Sequence, residues 1–297
     1  MDKFLSDKKA ILLFVVPALL FYMLIIFVSI AFSGYYSLLD WNGRQGSETF
    51  IGLSNYFEIL TPGPNSHFVT GLKNALLLAL LSVFAQIPIA LVLALAISRK
   101  TKGEGFFRSV FFIPVIISTS VLGQLWLKIY NPNNGMLNNL LTIVGLDSWT
   151  RGWLADTTVV LGAVFFVMIW QYVGYHMLLL YSQMKSIPIS IYEAAEIDGA
   201  SSTQVATKIT IPLIMPMIKV CTVFAVIGSL KAFDFVWILT KGGPFHTTEV
   251  PTTVMFRTII SQGRFGAGSA MAILILVACL ILTVLIMRLF KVENYEY

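Results

Sequence analysis

Long runs of apolar residues divide the chain into six windows that reach, or nearly reach, the length needed to cross a bilayer. A spanning helix needs about 20 mainly apolar residues, because the hydrocarbon core is about 30 Å thick. The windows are Ala10–Phe32, Asn74–Ser98, Ser109–Leu127, Thr158–Gln183, Ile209–Leu230 and Ser269–Met287. Only the fifth contains an ionisable Asp, Glu, Lys or Arg, which is Lys219. The pattern predicts an all-α integral membrane protein in which six transmembrane helices form one domain.

The first window differs from a cleavable signal peptide. Its 23 uncharged residues exceed the apolar stretch of a typical signal, and no small-residue cleavage site follows it. We therefore expect it to be retained as a transmembrane helix.

The positions of Lys and Arg predict the orientation of these helices, because cytoplasmic loops carry an excess of both residues. With the N-terminus in the cytoplasm, the inner segments hold eleven Lys and Arg, and the longer outer segments hold eight. The inner segments are 1–9, 99–108, 184–208 and 288–297. The predicted organisation is a cytoplasmic N-terminus (1–9), a six-helix domain (10–290) and a cytoplasmic tail (291–297). The net charge of +5 is then a topology signal and not a nucleic-acid-binding patch.

Charged groups are almost absent from the windows, and this argues against an ion- or proton-coupled carrier. Ion-coupled carriers usually place carboxylates at mid-membrane, where a charge is costly and marks function. Only Lys219 is a candidate, and we expect Pro212 and Pro216 to delay the start of the fifth helix so that this lysine reaches the inner surface. Cys221 and Cys279 are expected to be small packing residues.

Neutral polar side chains remain, and two interpretations of them stay open. They either hold the helices together through hydrogen bonds or line a path for a neutral polar solute. Lys231 and Asp234, at the outer end of the fifth window, are candidates for the same path. The set comprises Gln86, Ser118, Thr119, Ser120, Gln124, Gln171, Tyr172, Tyr175, His176 and Ser229.

No motif for hydrolysis or metal binding is present. The chain lacks a G-x-x-x-x-G-K-[ST] phosphate loop and an H-E-x-x-H zinc motif. An intramembrane enzyme would need paired carboxylates, a Ser/His pair or a metal cluster in the bilayer, and the windows offer only His176. We expect no metal or cofactor in this chain, so that energy for transport must come from another subunit.

The stretch SIYEAAEIDGASSTQVATKITIP, residues 190–212, interrupts the apolar pattern. Ser190 and Glu193 have the spacing of an S-x-x-E capping box, which predicts a short helix over Ile191–Asp198. Gly199 is expected to end it in a left-handed conformation. Such a short helix is not stable alone in water. It must dock on the protein's own helices or on a partner; the alternative is a polar connector with a capped turn.

This segment resembles the EAA loop of importer permeases of the ATP-binding cassette class. The family pattern is E-A-A, three residues, G, nine residues, then I-x-L-P. Here Glu193, Ala194 and Ala195 lead to Gly199, Ile209 and Pro212, with Ile211 in place of the usual Leu. Residues 50–60, 108–118 and 231–244 also resemble carbohydrate importer permeases, in particular the larger, MalF-type permease of the maltose transporter. The resemblance covers nearly all of residues 10–290, without that subunit's two extra N-terminal helices and its large external insertion.

The resemblance implies the type I importer permease fold and a set of partners. These are a second permease, two copies of a cytosolic ATPase that carries ATP and Mg²⁺, and an extracytoplasmic solute-binding protein. The implied location is the plasma (inner) membrane of a bacterium or archaeon. The short helix would be a coupling helix that sits in a groove of the ATPase. The implied coupling residues are Glu193, Ala194, Ala195, Asp198, Gly199, Ala200, Ile209 and Pro212.

The resemblance also places the solute site among the later helices. Ser229 and Phe233 are the first candidates, followed by Gln124, Gln171, Tyr175 and Asp234.

The TKGGP segment at 240–244 is either an outer turn near the binding protein or a turn without a partner. The expected cargo is a neutral oligosaccharide, and the alternatives are a polyol, a glycerophosphate or an amino-sugar. Of these, a phosphate cargo is disfavoured, because it needs arginines and the windows contain none. A purely structural membrane subunit would not require the EAA spacing.

Overall fold

The computed structural model describes residues 8–61, 67–98 and 103–290, and most of these residues are helical. The predicted tail at 291–297 and most of the predicted N-terminal segment lie outside these residues. The helices are α1 Lys8–Tyr36, α2 Ser54–Leu60, α3 Phe68–Ser98, α4 Glu104–Ile116, α5 Thr119–Ile129, α6 Met136–Ile143, α7 Val160–Lys185, α8 Ile189–Ile197, α9 Ser202–Gln204, α10 Ile211–Leu213, α11 Met215–Leu230, α12 Asp234–Leu239, α13 Pro251–Ile260 and α14 Phe265–Leu289.

The described residues also contain three smaller features. Strands β1 (Leu39–Asp40) and β2 (Thr49–Phe50) pair antiparallel, with Leu39 opposite Phe50. A π-helical segment, Ser82–Gln86, lies inside α3, and a second, Val205–Thr210, joins α9 to α10. A 3₁₀ turn covers Asp147–Trp149.

The spans confirm a multi-pass membrane protein, with one change to the predicted six helices. Five stretches are long and apolar enough to cross a membrane: Leu12–Tyr36, Phe68–Ser98, Val160–Lys185, Met215–Leu239 and Phe265–Leu289. The predicted third helix is instead two helices, α4 and α5, which meet at an angle of 94° and make a sixth span if they are counted as one broken helix. The break follows Pro114, which cannot donate a helical hydrogen bond, and Ile117 is extended with φ −71° and ψ 136°.

The fifth span starts later than its apolar window, as the prolines predicted, and it ends later than the window did. It begins at Met215 and not at Ile209, because Ile214 leaves the helical conformation and Pro216 sits in the first turn, where proline is tolerated. It continues past Leu230 to Leu239. Lys219 lies near its start and donates from Nζ to the carbonyl oxygen of Phe290 at 3.2 Å, just after α14 ends.

The chain divides into two compact units. The larger contains residues 67–254 and 277–297, and the smaller contains residues 1–66 and 255–276. The larger unit has two apolar clusters. The first forms around Leu122, Val164 and Val236. The second forms around Ala90, Met177 and other residues of α3, α7 and the start of α11.

Close backbone contact marks the packing of α4 on α7 in the larger unit. A Cβ atom added to Gly174 would lie 1.9 Å from the carbonyl oxygen of Phe111. Gln171, one turn earlier, donates from Nε2 to the carbonyl oxygen of Pro114 at 3.3 Å. Small residues allow such approach between membrane helices.

The smaller unit ties α2 and the β1–β2 hairpin to the ends of two spans. Trp41 stacks on Tyr36, with ring centroids 4.5 Å apart, and contacts Phe265 at 5.5 Å. A Cβ atom on Gly266 would lie 2.0 Å from the carbonyl oxygen of Leu39, so glycine is required at the start of α14.

Candidate coupling helix and solute cavity

Helix α8 starts differently from the prediction. Its N-cap is Pro188, in an extended conformation with φ −55° and ψ 134°, and no side chain caps it. Ser190 is the second residue of the helix, so the predicted Ser190–Glu193 capping box was wrong. A capping box forms instead before α9, where Ser201 Oγ accepts from the Gln204 N–H at 3.3 Å and Gln204 Oε1 accepts from the Ser201 N–H at 2.7 Å.

The end of α8 is as predicted. Gly199 has φ +71°, the left-handed conformation that glycine adopts without strain. The Gly199 N–H donates to the Glu196 carbonyl at 3.1 Å, and the Ala200 N–H donates to the Ala195 carbonyl at 2.9 Å. This pair of bonds is the Schellman motif, which satisfies the last carbonyls of a helix.

One face of α8 packs on the membrane helices and the other is exposed. Ala195 is buried, and Ile191 and Tyr192 pack against the second apolar cluster. The opposite face presents Ile189, Glu193 and Ile197, and the side chain of Ile197 is 87% exposed. Among the other predicted coupling residues, Ala194, Asp198 and Gly199 are exposed, and Ala200, Ile209 and Pro212 are half-buried.

A cavity of about 460 Å³ lies between α3, α7 and the α11–α12 span of the larger unit. The π-helical segment of α3 contributes both of its end residues, Ser82 and Gln86, as π-helical turns often do at functional sites. The ionisable and neutral polar residues of the lining are Ser82, Gln86, Thr119, Tyr172, Tyr175, His176, Ser229, Lys231 and Asp234.

Several of these polar groups are already held by the backbone. Gln86 donates from Nε2 to the Ile169 carbonyl at 3.3 Å, and Ser229 donates from Oγ to the Ala225 carbonyl at 2.8 Å. His176 is buried, and its Nδ1 atom has no hydrogen-bond partner within the described part of the chain.

The cavity adjoins a break in the fifth span. Helix α11 ends at Leu230 and α12 begins at Asp234, and Phe233 between them has the non-helical angles φ −144° and ψ −60°. The freed carbonyl of Ala232 accepts a hydrogen bond from the Thr252 hydroxyl. Irregular backbone at membrane depth is tolerated where it lines a cavity or is buried in protein. The break therefore fits a solute path better than a lipid-facing surface.

The structure brings four of the predicted path residues to this cavity and leaves two outside its lining. Tyr175, Ser229, Phe233 and Asp234 line it. Gln124 is exposed on α5, and Gln171 is buried and donates to the Pro114 carbonyl of α4. Gln171 and Tyr175 are only about 40° apart around α7, so the neighbouring helix decides which of them reaches the cavity.

Three residues of the cavity and of helix α8 were not identified as candidates from the sequence. Ser82 and Gly228 line the cavity, and Ile197 is the exposed apolar tip of α8. A signal existed for Ile197, since Ile189 and Ile197 are eight residues apart and fall on one face of a helix. Nothing in the sequence alone marks Ser82 or Gly228.

A comparison with protein families identifies the chain. Residues 86–292 match the family described as the binding-protein-dependent transport system inner membrane component. The chain belongs to this family of ABC transporter permeases. It is a transport subunit and not an enzyme. The matched region includes α8 and the cavity lining from Gln86 onward, and leaves out Leu78 and Ser82.

Individual relatives agree with this assignment along nearly the whole permease. It is 38% identical over 286 residues to the probable ABC transporter permease protein YurN of Bacillus subtilis, covering 96% of this chain and 97% of the relative. It is 30% identical to the diacetylchitobiose uptake system permease protein NgcF of Streptomyces coelicolor, covering 88% and 77%.

The fold agrees with a solved transporter. The permease superposes with a TM-score of 0.83 on a chain from a bacterial alginate ABC transporter in complex with an alginate pentasaccharide-bound periplasmic protein. The match covers 98% of this chain and 99% of that chain at 22% identity. The type I importer permease fold inferred from the sequence is thereby confirmed.

Proposed function

We propose that this permease forms half of the membrane path of an ATP-driven, binding-protein-dependent importer of a neutral oligosaccharide. Relatives named for diacetylchitobiose uptake and for alginate transport support a carbohydrate cargo. The chemistry of the cavity supports the same class, because amides and hydroxyls hydrogen-bond sugar hydroxyls and Phe233 offers an aromatic face. The alginate transporter imports an acidic polysaccharide. The charges of the cavity lining therefore distinguish an acidic from a neutral carbohydrate cargo.

The charges of the cavity favour a neutral cargo. The lining holds one cation, Lys231, and one carboxylate, Asp234, three residues apart. Arginine, the usual partner of carboxylates and phosphates, is absent from the described residues that line the cavity. A polyol or a neutral amino-sugar fits the same lining, and a glycerophosphate fits it less well.

One observation supports the proposed coupling to the ATPase, and this is the exposed face of α8. This nine-residue helix has Ile189 and Ile197 on its exposed face, and together they offer an apolar surface for a partner to cover. We infer that Ile197 enters a groove of the ATPase and that Glu193 is the polar anchor beside it. Gly199 then sets the angle at which the chain leaves the joint.

Helix α7 provides a rigid connection between this joint and the cavity. It ends at Lys185, four residues before α8 begins, and its residues Tyr172, Tyr175 and His176 line the cavity. Nine residues of α-helix, from His176 to Lys185, rise by about 14 Å. Ile191 and Tyr192 pack on the same apolar cluster as Met177 and Met184 of α7. Movement of α8 with the ATPase would therefore move the wall of the cavity.

The remaining partners follow from this scheme. A second permease closes the other half of the path, two ATPase copies supply ATP and Mg²⁺ chemistry, and a binding protein delivers the sugar. We place both termini and α8 on the cytoplasmic side of the plasma membrane. The Lys219 contact with Phe290 brings the start of the fifth span, which follows α8, beside the end of the last span, and this supports placing α8 and the C-terminal end on one side.

Co-purification tests the proposal. The permease is extracted in mild detergent, and the proteins that accompany it are identified by mass spectrometry, for the wild type and for Glu193→Lys. We expect a second permease and an ATPase with the wild type, and loss of the ATPase in the variant. Glu48→Lys, the same charge reversal at an exposed residue before β2, is the control. Retention of the ATPase by Glu193→Lys would contradict the coupling role of α8.

A further inference from the structure

Helix α2 of the smaller unit carries apolar residues on its exposed face as well as on its buried one. The exposed side chains are Leu53 at its N-cap, Phe57 and Leu60, which are 58%, 70% and 48% exposed. Phe50, three residues earlier, is 73% exposed. We call these four residues the α2 apolar stripe. It lies outside residues 86–292 that match the permease family.

Helical geometry places the stripe opposite the anchored face. At about 100° per residue, Leu53, Phe57 and Leu60 fall within about 60° of one another, and Asn55 and Ile59 fall on the far side. Asn55 and Ile59 are both buried. Ser54 and Glu58 lie between the two faces and are exposed. The helix is therefore held from one side and presents a continuous apolar ridge on the other.

Two sets of hydrogen bonds fix α2 at the ends of two membrane spans. Asn55 donates from Nδ2 to the carbonyl oxygens of Ser37 and Leu39, both at 2.9 Å, and Tyr56 donates to Ser37 Oγ at 2.7 Å. Ser37 directly follows Tyr36, the last residue of the first span.

The second set is a bidentate ion pair. Arg264 donates from both terminal guanidinium nitrogens to the Glu58 carboxylate, each at 2.6 Å. Arg264 directly precedes Phe265, the first residue of the last span.

These attachments place α2 at the level of the lipid headgroups. Each of the two spans has 25 residues, which as an α-helix is about 37 Å long, against a hydrocarbon core of about 30 Å. A residue directly beyond either span therefore lies a few ångströms outside the hydrocarbon. A short helix bonded to both ends lies along the same boundary, where Phe and Leu side chains reach lipid and charged groups remain hydrated.

We propose that the α2 apolar stripe inserts into the membrane interface and anchors the two span ends to the lipid surface. The apolar surface continues from the stripe onto the first span, where Phe32 and Tyr35 are also more than half exposed. The Glu58–Arg264 pair sits beside the ridge, where headgroups and water solvate it. The occupant of this face is the lipid bilayer, and not a second protein. The proposal depends on the membrane spans and does not require the carbohydrate cargo.

Site-directed fluorescence quenching tests the depth of the stripe. Phe57→Cys is labelled with an environment-sensitive bimane probe and reconstituted in phosphatidylcholine–phosphatidylglycerol vesicles, and its stable fold is checked by gel filtration. The unmodified chain, whose Cys221 and Cys279 are both buried, serves as the labelling blank. Arg44→Cys, in the exposed β1–β2 loop, is the water control, and Phe21→Cys, exposed at the middle of α1, is the lipid control.

The expected result is a mixed accessibility at position 57. Lipids with a nitroxide near the headgroup quench the Phe57 probe about twofold more than the Arg44 probe, and aqueous iodide quenches it about threefold less. Lipids with a nitroxide at the chain end quench it less than the Phe21 probe. Iodide quenching equal to that at Arg44 would overturn the proposal, because the ridge would lie in water. Protection from both lipid and iodide would also overturn it, because a protein would then cover the stripe.

Discussion

Replacing Gly174 by alanine tests the contact between α4 and α7. The added methyl group would lie 1.9 Å from the carbonyl oxygen of Phe111 and 2.7 Å from its carbonyl carbon. Ordinary contacts begin near 3.4 Å, so α4 must retreat by about 1.5 Å. Because the obstacle is backbone and not the end of a flexible side chain, a change of rotamer cannot relieve it.

The expected cost is that of an overpacked site, about 1–3 kcal/mol or more. In chains of this size, 1 kcal/mol corresponds to about 2–4 °C in Tm. We therefore expect the apparent Tm of Gly174→Ala in detergent, measured by intrinsic fluorescence on heating, to fall by about 2–12 °C.

Gly162 provides the matched control on the same helix. No atom lies within 4 Å of a Cβ atom placed there, and alanine favours a helix over glycine by about 0.5–1 kcal/mol. Gly162→Ala should leave Tm unchanged or raise it slightly. A Gly174→Ala protein that unfolds at the wild-type temperature would refute the close packing of α4 on α7.

Three further substitutions address the cavity, the coupling helix and the ion pair. Gly228 lines the cavity, and the space around its Cβ position is open. Gly228→Trp should therefore fill the cavity and abolish solute uptake into vesicles while the ATPase stays bound. Gly228→Ala, with a much smaller side chain, should retain uptake. Ile197→Asp should release the ATPase in a pull-down, and the same change at the exposed Ile143 should not. The Arg264 guanidinium holds the pKa of Glu58 below its ordinary value of 4.5. The ion pair therefore stabilises the folded protein at pH values above 4.5. This stabilisation is lost as the pH falls through the lowered pKa of Glu58. Glu58→Gln should thus lower Tm by about 1 °C at neutral pH, and the difference from wild type should disappear in acid.

The sequence predicted best those features that depend on chain length and local backbone chemistry. Windows without charge became spans, because burying a charge in lipid is costly. Gly199 ended α8 because the chain must turn left-handed there. Both arguments need only neighbouring residues, and neither depends on how the helices pack.

Features that depend on packing were missed or misplaced. The extension of the fifth span beyond Leu230 rests on a break whose free carbonyl, at Ala232, is satisfied by Thr252, twenty residues away. Ser190 and Glu193 matched a capping pattern, but the helix starts earlier, after Pro188, and the pattern falls inside it. A local motif cannot distinguish these cases.

The rotation of each helix was equally hidden. Gln171 and Tyr175 are one turn apart on α7 and were both expected to face the solute path. The structure turns Gln171 toward the carbonyl of Pro114 and Tyr175 toward the cavity. Since apolar and polar residues of α7 are not separated onto two faces, its sequence does not say which polar residue faces which neighbour.

The role of α8 is tested most directly by ATP-dependent sugar uptake into proteoliposomes that contain the co-purified transporter, its binding protein and a labelled neutral oligosaccharide. We expect uptake that requires both ATP and the binding protein and that is lost with Ile197→Asp in the permease. Uptake that continues at the wild-type rate in Ile197→Asp would contradict the central claim that α8 transmits the action of the ATPase to the cavity.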